Sequence, residues 1–189
     1  MARDYSRFLR RSLGIAGETI VCLKISDHIK KKKAEIRSLN DNHRQFQSNT
    51  AANFGDFDLE VIWGSHRTAL LDIKTRTENY WEYNSNGEYV FKYPTVIFDA
   101  VKWKELCEVK GDAFIIWVSP NGSGLFYMHK PKNNVKSWIE RIKLEKGTQK
   151  RKRSTKEVVY FNVGEKPISC GWNNLQEEID KLIDAKIYR

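Results

Sequence analysis

The spacing of apolar positions changes several times along the chain, and each change marks an element. Residues 113–118, Ala-Phe-Ile-Ile-Trp-Val, are apolar throughout, which predicts a strand buried on both faces. Residues 57–63 and 68–74 flank Gly64-Ser65-His66-Arg67 and predict two strands joined by a hairpin turn. Residues 80–83 and 88–93 flank Asn84-Ser85-Asn86-Gly87, whose Asn-Gly pair favours a tight turn; residues 94–98 extend this second hairpin. Residues 99–109 read as a helix with Val101, Leu106 and Val109 inward and Gly111 as its stop. Leu175, Ile179, Leu182 and Ile183 form an apolar stripe on a last helix, capped by Asn173 or Asn174.

The remaining segments are less sharply patterned. Tyr5, Phe8, Leu9 and Leu13 recur near helical spacing, which predicts a helix over residues 3–13 that ends at Gly14 or Gly17. Residues 18–25 are rich in β-branched side chains and read as a strand, with a helix as the alternative for so short a run. Residues 26–39 read as a helix capped by Ser26 or Asp27. Residues 40–53 are polar and amide-rich, a loop. Pro120-Asn121-Gly122-Ser123-Gly124 turns the apolar strand into a partner at 125–129. A short helix at 135–144, a basic loop at 146–156 and a strand at 158–163 follow. No internal repeat is visible. The pattern predicts one α/β domain over 1–189, a mixed sheet flanked by helices. Its core spans about 1–130, and a basic C-terminal extension about 131–189.

Charge narrows the function. Among 189 residues, 33 Lys and Arg face 24 Asp and Glu, for a net charge of +9. Such an excess suits a polyanionic partner. No amphipathic lipid-facing helix stands out, so nucleic acid is preferred over an anionic membrane. No apolar stretch is long enough to span a bilayer, and residues 1–5 lack a signal peptide's apolar core, so an intracellular protein, cytoplasmic or nuclear, is expected. Cys22, Cys107 and Cys170 are scattered and odd in number, which argues against a disulfide framework or zinc site. His28, His43, His66 and His129 show no metal-ligand spacing.

Asp72-Ile73-Lys74 is the strongest chemical signal. In a strand its two charged side chains project from one face, and charge in an apolar strand is costly unless compensated or used. Upstream, Asp56-Phe57-Asp58-Leu59-Glu60 supplies acids on the neighbouring strand; Asp56 and Glu60 share the parity of Asp58. Asp58 and Asp72 can act as the one or two carboxylates that Mg²⁺ takes, with Mn²⁺ as a substitute and the Ile73 carbonyl as a third ligand. Lys74 can orient the attacking water or neutralise a phosphorane. Thr75, Arg76 and Lys102 are candidate phosphate contacts. Within Lys30–Lys33 and Lys150–Arg153, Lys31, Lys32, Lys150, Arg151, Lys152 and Arg153 are candidate DNA-backbone contacts. The plainer alternatives are a salt bridge at a sheet margin and solvated basic loops. Tyr80, Trp81 and Tyr83 read as hairpin packing, with base stacking as the alternative.

An acidic strand, a turn, then D-x-K in an apolar strand followed by helix and strand resembles the PD-(D/E)XK nuclease superfamily of restriction endonucleases, Holliday-junction resolvases and phage exonucleases. The resemblance covers residues 54–130. It implies a restriction-endonuclease-like fold and Mg²⁺-dependent hydrolysis of duplex or branched DNA, with Asp58, Asp72 and Lys74 at the family's acid and D-x-K positions. It also implies a homodimer, because resolvases and restriction enzymes work with two active sites. Phe57 stands where the family keeps a proline. The family's helix glutamate falls on Glu18 or Glu35, and Glu18 is preferred because the first helix and strand better match the family's opening. The alternatives are a non-catalytic nucleic-acid-binding module on the same fold and a basic protein-interaction domain.

Overall fold

In a computed structural model, which describes residues 2–39, 57–64, 67–79, 81–108, 111–129, 146–151, 154–163 and 168–185, the first element is one long helix. This α1, Ala2–Lys31, replaces the predicted helix, the predicted strand and the first part of the predicted second helix; the rest of that second helix, Ala34–Ser38, is a strand. Gly14 and Gly17 do not stop α1. Val21, Ile25 and Ile29 recur every four residues and are fully buried, so packing of this stripe outweighs the local cost of glycine and β-branched residues. Lys33, with φ of 57°, reverses the chain directly after the helix, where glycine is the usual occupant.

The strands are β1 (Ala34–Ser38), β2 (Leu59–Trp63), β3 (Arg67–Thr75), β4 (Trp81–Tyr83), β5 (Tyr89–Phe91) and β6 (Thr95–Asp99). After α2 (Ala100–Glu108) come β7 (Asp112–Val118), β8 (Gly124–His129), β9 (Lys146–Arg151), β10 (Ser154–Asn162) and β11 (Ile168–Cys170), and α3 (Trp172–Ala185) closes the described chain. Six strands form a mixed sheet in the order β1-β2-β3-β7-β8-β11. Only its β3–β7 pair is parallel. The crossover between those two strands contains α2, as a parallel connection requires. β7 is buried at every position, in keeping with its unbroken apolar run.

Alternation along the strands builds two cores. Leu59, Val61, Leu71, Ile73, Phe114 and Ile116 face α1 and α3. Leu70, Ala113, Ile115, Trp117 and Tyr127 face α2 and a second sheet of order β6-β10-β9. There Trp103, Trp117 and Tyr127 surround Phe161 with ring centroids 5.3–5.6 Å away. Trp103 and Leu106 carry the buried face of α2, whereas Val101 is 60% exposed, a correction to its predicted inward place; Val109 lies outside the described residues.

The segment read as a C-terminal extension is woven into both cores. The predicted basic loop at 146–156 is an antiparallel hairpin of β9 and β10, because β10 continues into the stretch that pairs with β6 and whose Val159 and Phe161 fill the second core. β11 adds the sixth strand. α3 begins at Trp172, directly after Gly171, rather than at an asparagine cap; Asn174 instead donates to the Cys170 carbonyl at 2.7 Å. Its predicted stripe of Leu175, Ile179, Leu182 and Ile183 is buried. α3 meets α1 through His28 and Asp180 at 2.8 Å and Lys32 and Asp184 at 3.1 Å. The loop and short helix read at 40–53 and 135–144 lie outside the described residues.

Candidate active site

The site is set by the register of β2 on β3. Leu59 pairs with Leu71, and the Asp58 amide donates to the Leu71 carbonyl at 2.9 Å. Asp58 therefore arrives opposite Asp72, one step past the end of the ladder. Its Oδ2 accepts a hydrogen bond from the Ile73 amide at 2.6 Å. The N–H and C=O of one strand residue point to the same edge, so the Ile73 carbonyl also faces the place where β2 has left the sheet, beside Asp58.

Asp72 is 2% exposed. Burial pushes its carboxyl from 3.8 up to about 6; Lys74 and then Lys102 oppose that rise, and the nearby Asp58 charge adds to it. The two carboxylates thus feel one another across the strand pair. Lys74 Nζ donates a short hydrogen bond to Asp72 Oδ1. Its side chain is 29% exposed and lies 5.5 Å from the centroid of the Phe98 ring. Lys102 sits in the first turn of α2, whose start is fixed by the Val101 amide bonding Asp99 Oδ1 at 2.9 Å. One acid is therefore bonded to Lys74 and feels the charge of Lys102 from a different element, at the end of the sheet where β2 has stopped.

The same face of β3 continues to Arg76. Its amide bonds the Val118 carbonyl at 2.9 Å, and its Nη2 lies 3.5 Å from the Ile97 carbonyl. Here a cleft of about 270 Å³ opens, lined by Arg76, Thr77, Glu78, Tyr93, Thr95 and Ile97. Sequence reading missed Glu78, Tyr93 and Phe98; the parity of Asp72, Lys74 and Arg76 was the available pointer to that side.

The other expected residues separate. Thr75 turns to the α1 face, where its hydroxyl is buried without a hydrogen-bond partner and abuts Gly17. It cannot share a phosphate contact with Arg76, because adjacent strand residues face opposite ways. Glu18 follows Gly17 on α1, which packs against Thr75 and Ile73, the face of β3 opposite to Asp72 and Lys74. Glu35 is exposed on β1 opposite Ile62, two strands from Asp72 and not on a helix. Glu60 pairs with Leu70, two residues deeper in the sheet than Asp58. Lys32 is held by Asp180 and Asp184 rather than projecting as a DNA arm, while Lys31 is exposed. Lys150 and Arg151 belong to β9, the outer strand of the small sheet. Asp56, Lys152 and Arg153 lie outside the described residues, as do the side chains of Tyr80, Trp81 and Tyr83.

Among the described residues, no group of three or more His, Cys, Asp or Glu side chains is placed to hold a metal. Among those residues no helix is long and apolar enough to cross a membrane. Comparison with family models, curated proteins and solved structures finds no match to the chain.

Proposed function

We propose that the chain is a Mg²⁺-dependent endonuclease of PD-(D/E)XK type that hydrolyses DNA phosphodiester bonds. The observation that carries this reading is the convergence of Asp58, Asp72 and Lys74 at one end of the β2–β3 hairpin. The succession of an antiparallel hairpin, α2 and a strand parallel to β3 supports it, since the sequence resemblance implies that order. The net charge of +9 favours approach of a polyanion.

The donor set fits a hard divalent cation. Two carboxylates whose charges repel, beside a backbone carbonyl at a sheet end, are the oxygen donors Mg²⁺ prefers. Asp58, Asp72 and the Ile73 carbonyl would hold it. The ion would supply Lewis acidity toward the phosphate and lower the pKa of a bound water. Lys74 is fixed by Asp72 and backed by Phe98, so its ammonium is positioned before substrate arrives. It stabilises charge building on the phosphorane and can donate to the attacking water. Lys102 adds positive charge on the α2 side, where a non-bridging phosphate oxygen gains from it.

Incubation with linear, circular, single-stranded and branched DNA, in Mg²⁺ and in EDTA, tests the proposal. Mg²⁺-dependent cleavage of at least one form is expected. Salt-sensitive retention of DNA without any product would instead make the chain a binding module.

A further inference from the structure

We propose that the cleft between Arg76 and Tyr93 is a nucleotide subsite that takes one unpaired nucleotide next to the scissile phosphate, stacking its base on Tyr93 and holding its phosphate at Arg76. The proposal rests on the nuclease reading for the words "next to the scissile phosphate" and on the cleft itself for the rest.

Asp72 and Lys74 occupy alternate places on β3, and Arg76, directly after its end, continues their face. A strand whose phosphate lies at Lys74 meets Arg76 two residues further along, at the mouth of the cleft. Arg76 contributes a planar cation with several donors in a fork, suited to phosphate oxygens.

Tyr93 is 39% exposed and lines the cleft together with the apolar Ile97. An aromatic ring on an apolar lining is what a base needs once it leaves its stack. A base within a duplex has both faces covered and cannot reach into a concave site, so the occupant is an unpaired or extruded one. The Tyr93 hydroxyl donates a short hydrogen bond to Glu78 Oε2, which pins the ring. The Glu78 carboxylate is an acceptor on the same lining, matched to the amino groups of cytosine, adenine or guanine and to none on thymine. Lys92 lies 6.0 Å from the Tyr93 ring centroid and is paired with Glu82 at 3.6 Å, so it offsets that carboxylate beside the ring.

The test is fluorescence anisotropy with the full chain in EDTA, using a labelled single-stranded oligonucleotide of mixed sequence and the same strand annealed to its complement. Tyr93→Leu should weaken single-strand binding about 10-fold and duplex binding far less. Tyr93→Phe keeps the ring and should stay within about 2-fold of wild type, which separates stacking from a folding defect. Arg76→Ala should weaken binding of both probes. Wild-type affinity in Tyr93→Leu, equal loss on both probes, or no single-strand binding by the wild type each overturns the subsite. Parallel Mg²⁺ cleavage assays keep the two ideas apart. A chain that cuts DNA while Tyr93→Leu binds normally has the active site without the subsite; a chain that shows the Tyr93 effect and never cuts has the subsite without the nuclease.

Discussion

Asp58 Oδ2 is held 2.6 Å from the Ile73 amide nitrogen, so the acid of one strand is fastened to the backbone of the next beside Asp72. That single contact fixes both the spacing of the two carboxylates and the place where the Ile73 carbonyl emerges. Asp58→Asn keeps an oxygen that can accept from Ile73 and removes only the charge. It should fold with a melting temperature close to wild type and lose at least about 100-fold in cleavage rate, the scale of one preorganised charge in an active site. Melting curves alongside single-turnover cleavage check this; a melting loss as severe as the activity loss would assign Asp58 a structural role instead.

Asp72 carries a cost in the metal-free protein. Its unfolded carboxyl titrates near 3.8 and its folded one near 6, chiefly through burial. Between those values the folded chain holds the extra proton, so stability falls as pH rises through that window and the penalty is complete above it. The size is on the order of 3 kcal/mol. In EDTA, Asp72→Asn should therefore be more stable than wild type near pH 7 and lose that advantage by about pH 4. Urea melts at the two pH values measure it. An equal difference at both would show that the carboxyl does not titrate as its burial dictates.

The two helix glycines should behave in opposite ways. A Cβ on Gly14 meets nothing within 4 Å, whereas on Gly17 it would stand 1.9 Å from Thr75 Oγ1 and 3.3 Å from Ile73 Cγ2. Gly14→Ala should stabilise by up to about 1 kcal/mol through helix propensity. Gly17→Ala should destabilise by about 1–3 kcal/mol through overpacking, and less so in a Thr75→Ala background. Denaturant midpoints of the four chains give the coupling directly.

How much of this was legible in the sequence depends on where each element finds its partner. β7 and the α3 stripe could be read because their own residues carry the pattern, seven buried positions in one and Leu175, Ile179, Leu182 and Ile183 in the other. α1 was broken into three pieces because Gly14, Gly17 and the β-branched Thr19, Ile20 and Val21 argue locally against a helix. The four-residue recurrence of Gly17, Val21, Ile25 and Ile29 was the overlooked signal. The β9–β10 hairpin was hidden by its lysines and arginines, since its reason to exist is pairing with β6, about sixty residues upstream. At the site, strand parity placed Asp72 with Lys74. The choice of Asp58 over Glu60 needed register, and the Glu78–Tyr93 wall needed tertiary contacts that no local pattern encodes.

Lys33 is the one non-glycine with positive φ among the described residues. Its left-handed conformation costs an L-residue roughly 1 kcal/mol. Lys33→Gly should recover about 0.5–1 kcal/mol net of glycine's greater unfolded entropy, seen as a higher urea midpoint with an unchanged slope. An unchanged or lower midpoint would mean that the Lys33 side chain contributes contacts that offset the strain.

Everything functional rests on Asp58, Asp72 and Lys74 forming one cation-dependent catalytic centre. The most direct measurement is cleavage of a plasmid and of a branched DNA by wild type and by Asp72→Asn, with Mg²⁺ and with EDTA. The account predicts product from the wild type in Mg²⁺ alone, and none from Asp72→Asn although that variant still binds DNA. Equal cutting by the two proteins, or cutting by the wild type in EDTA, would contradict it.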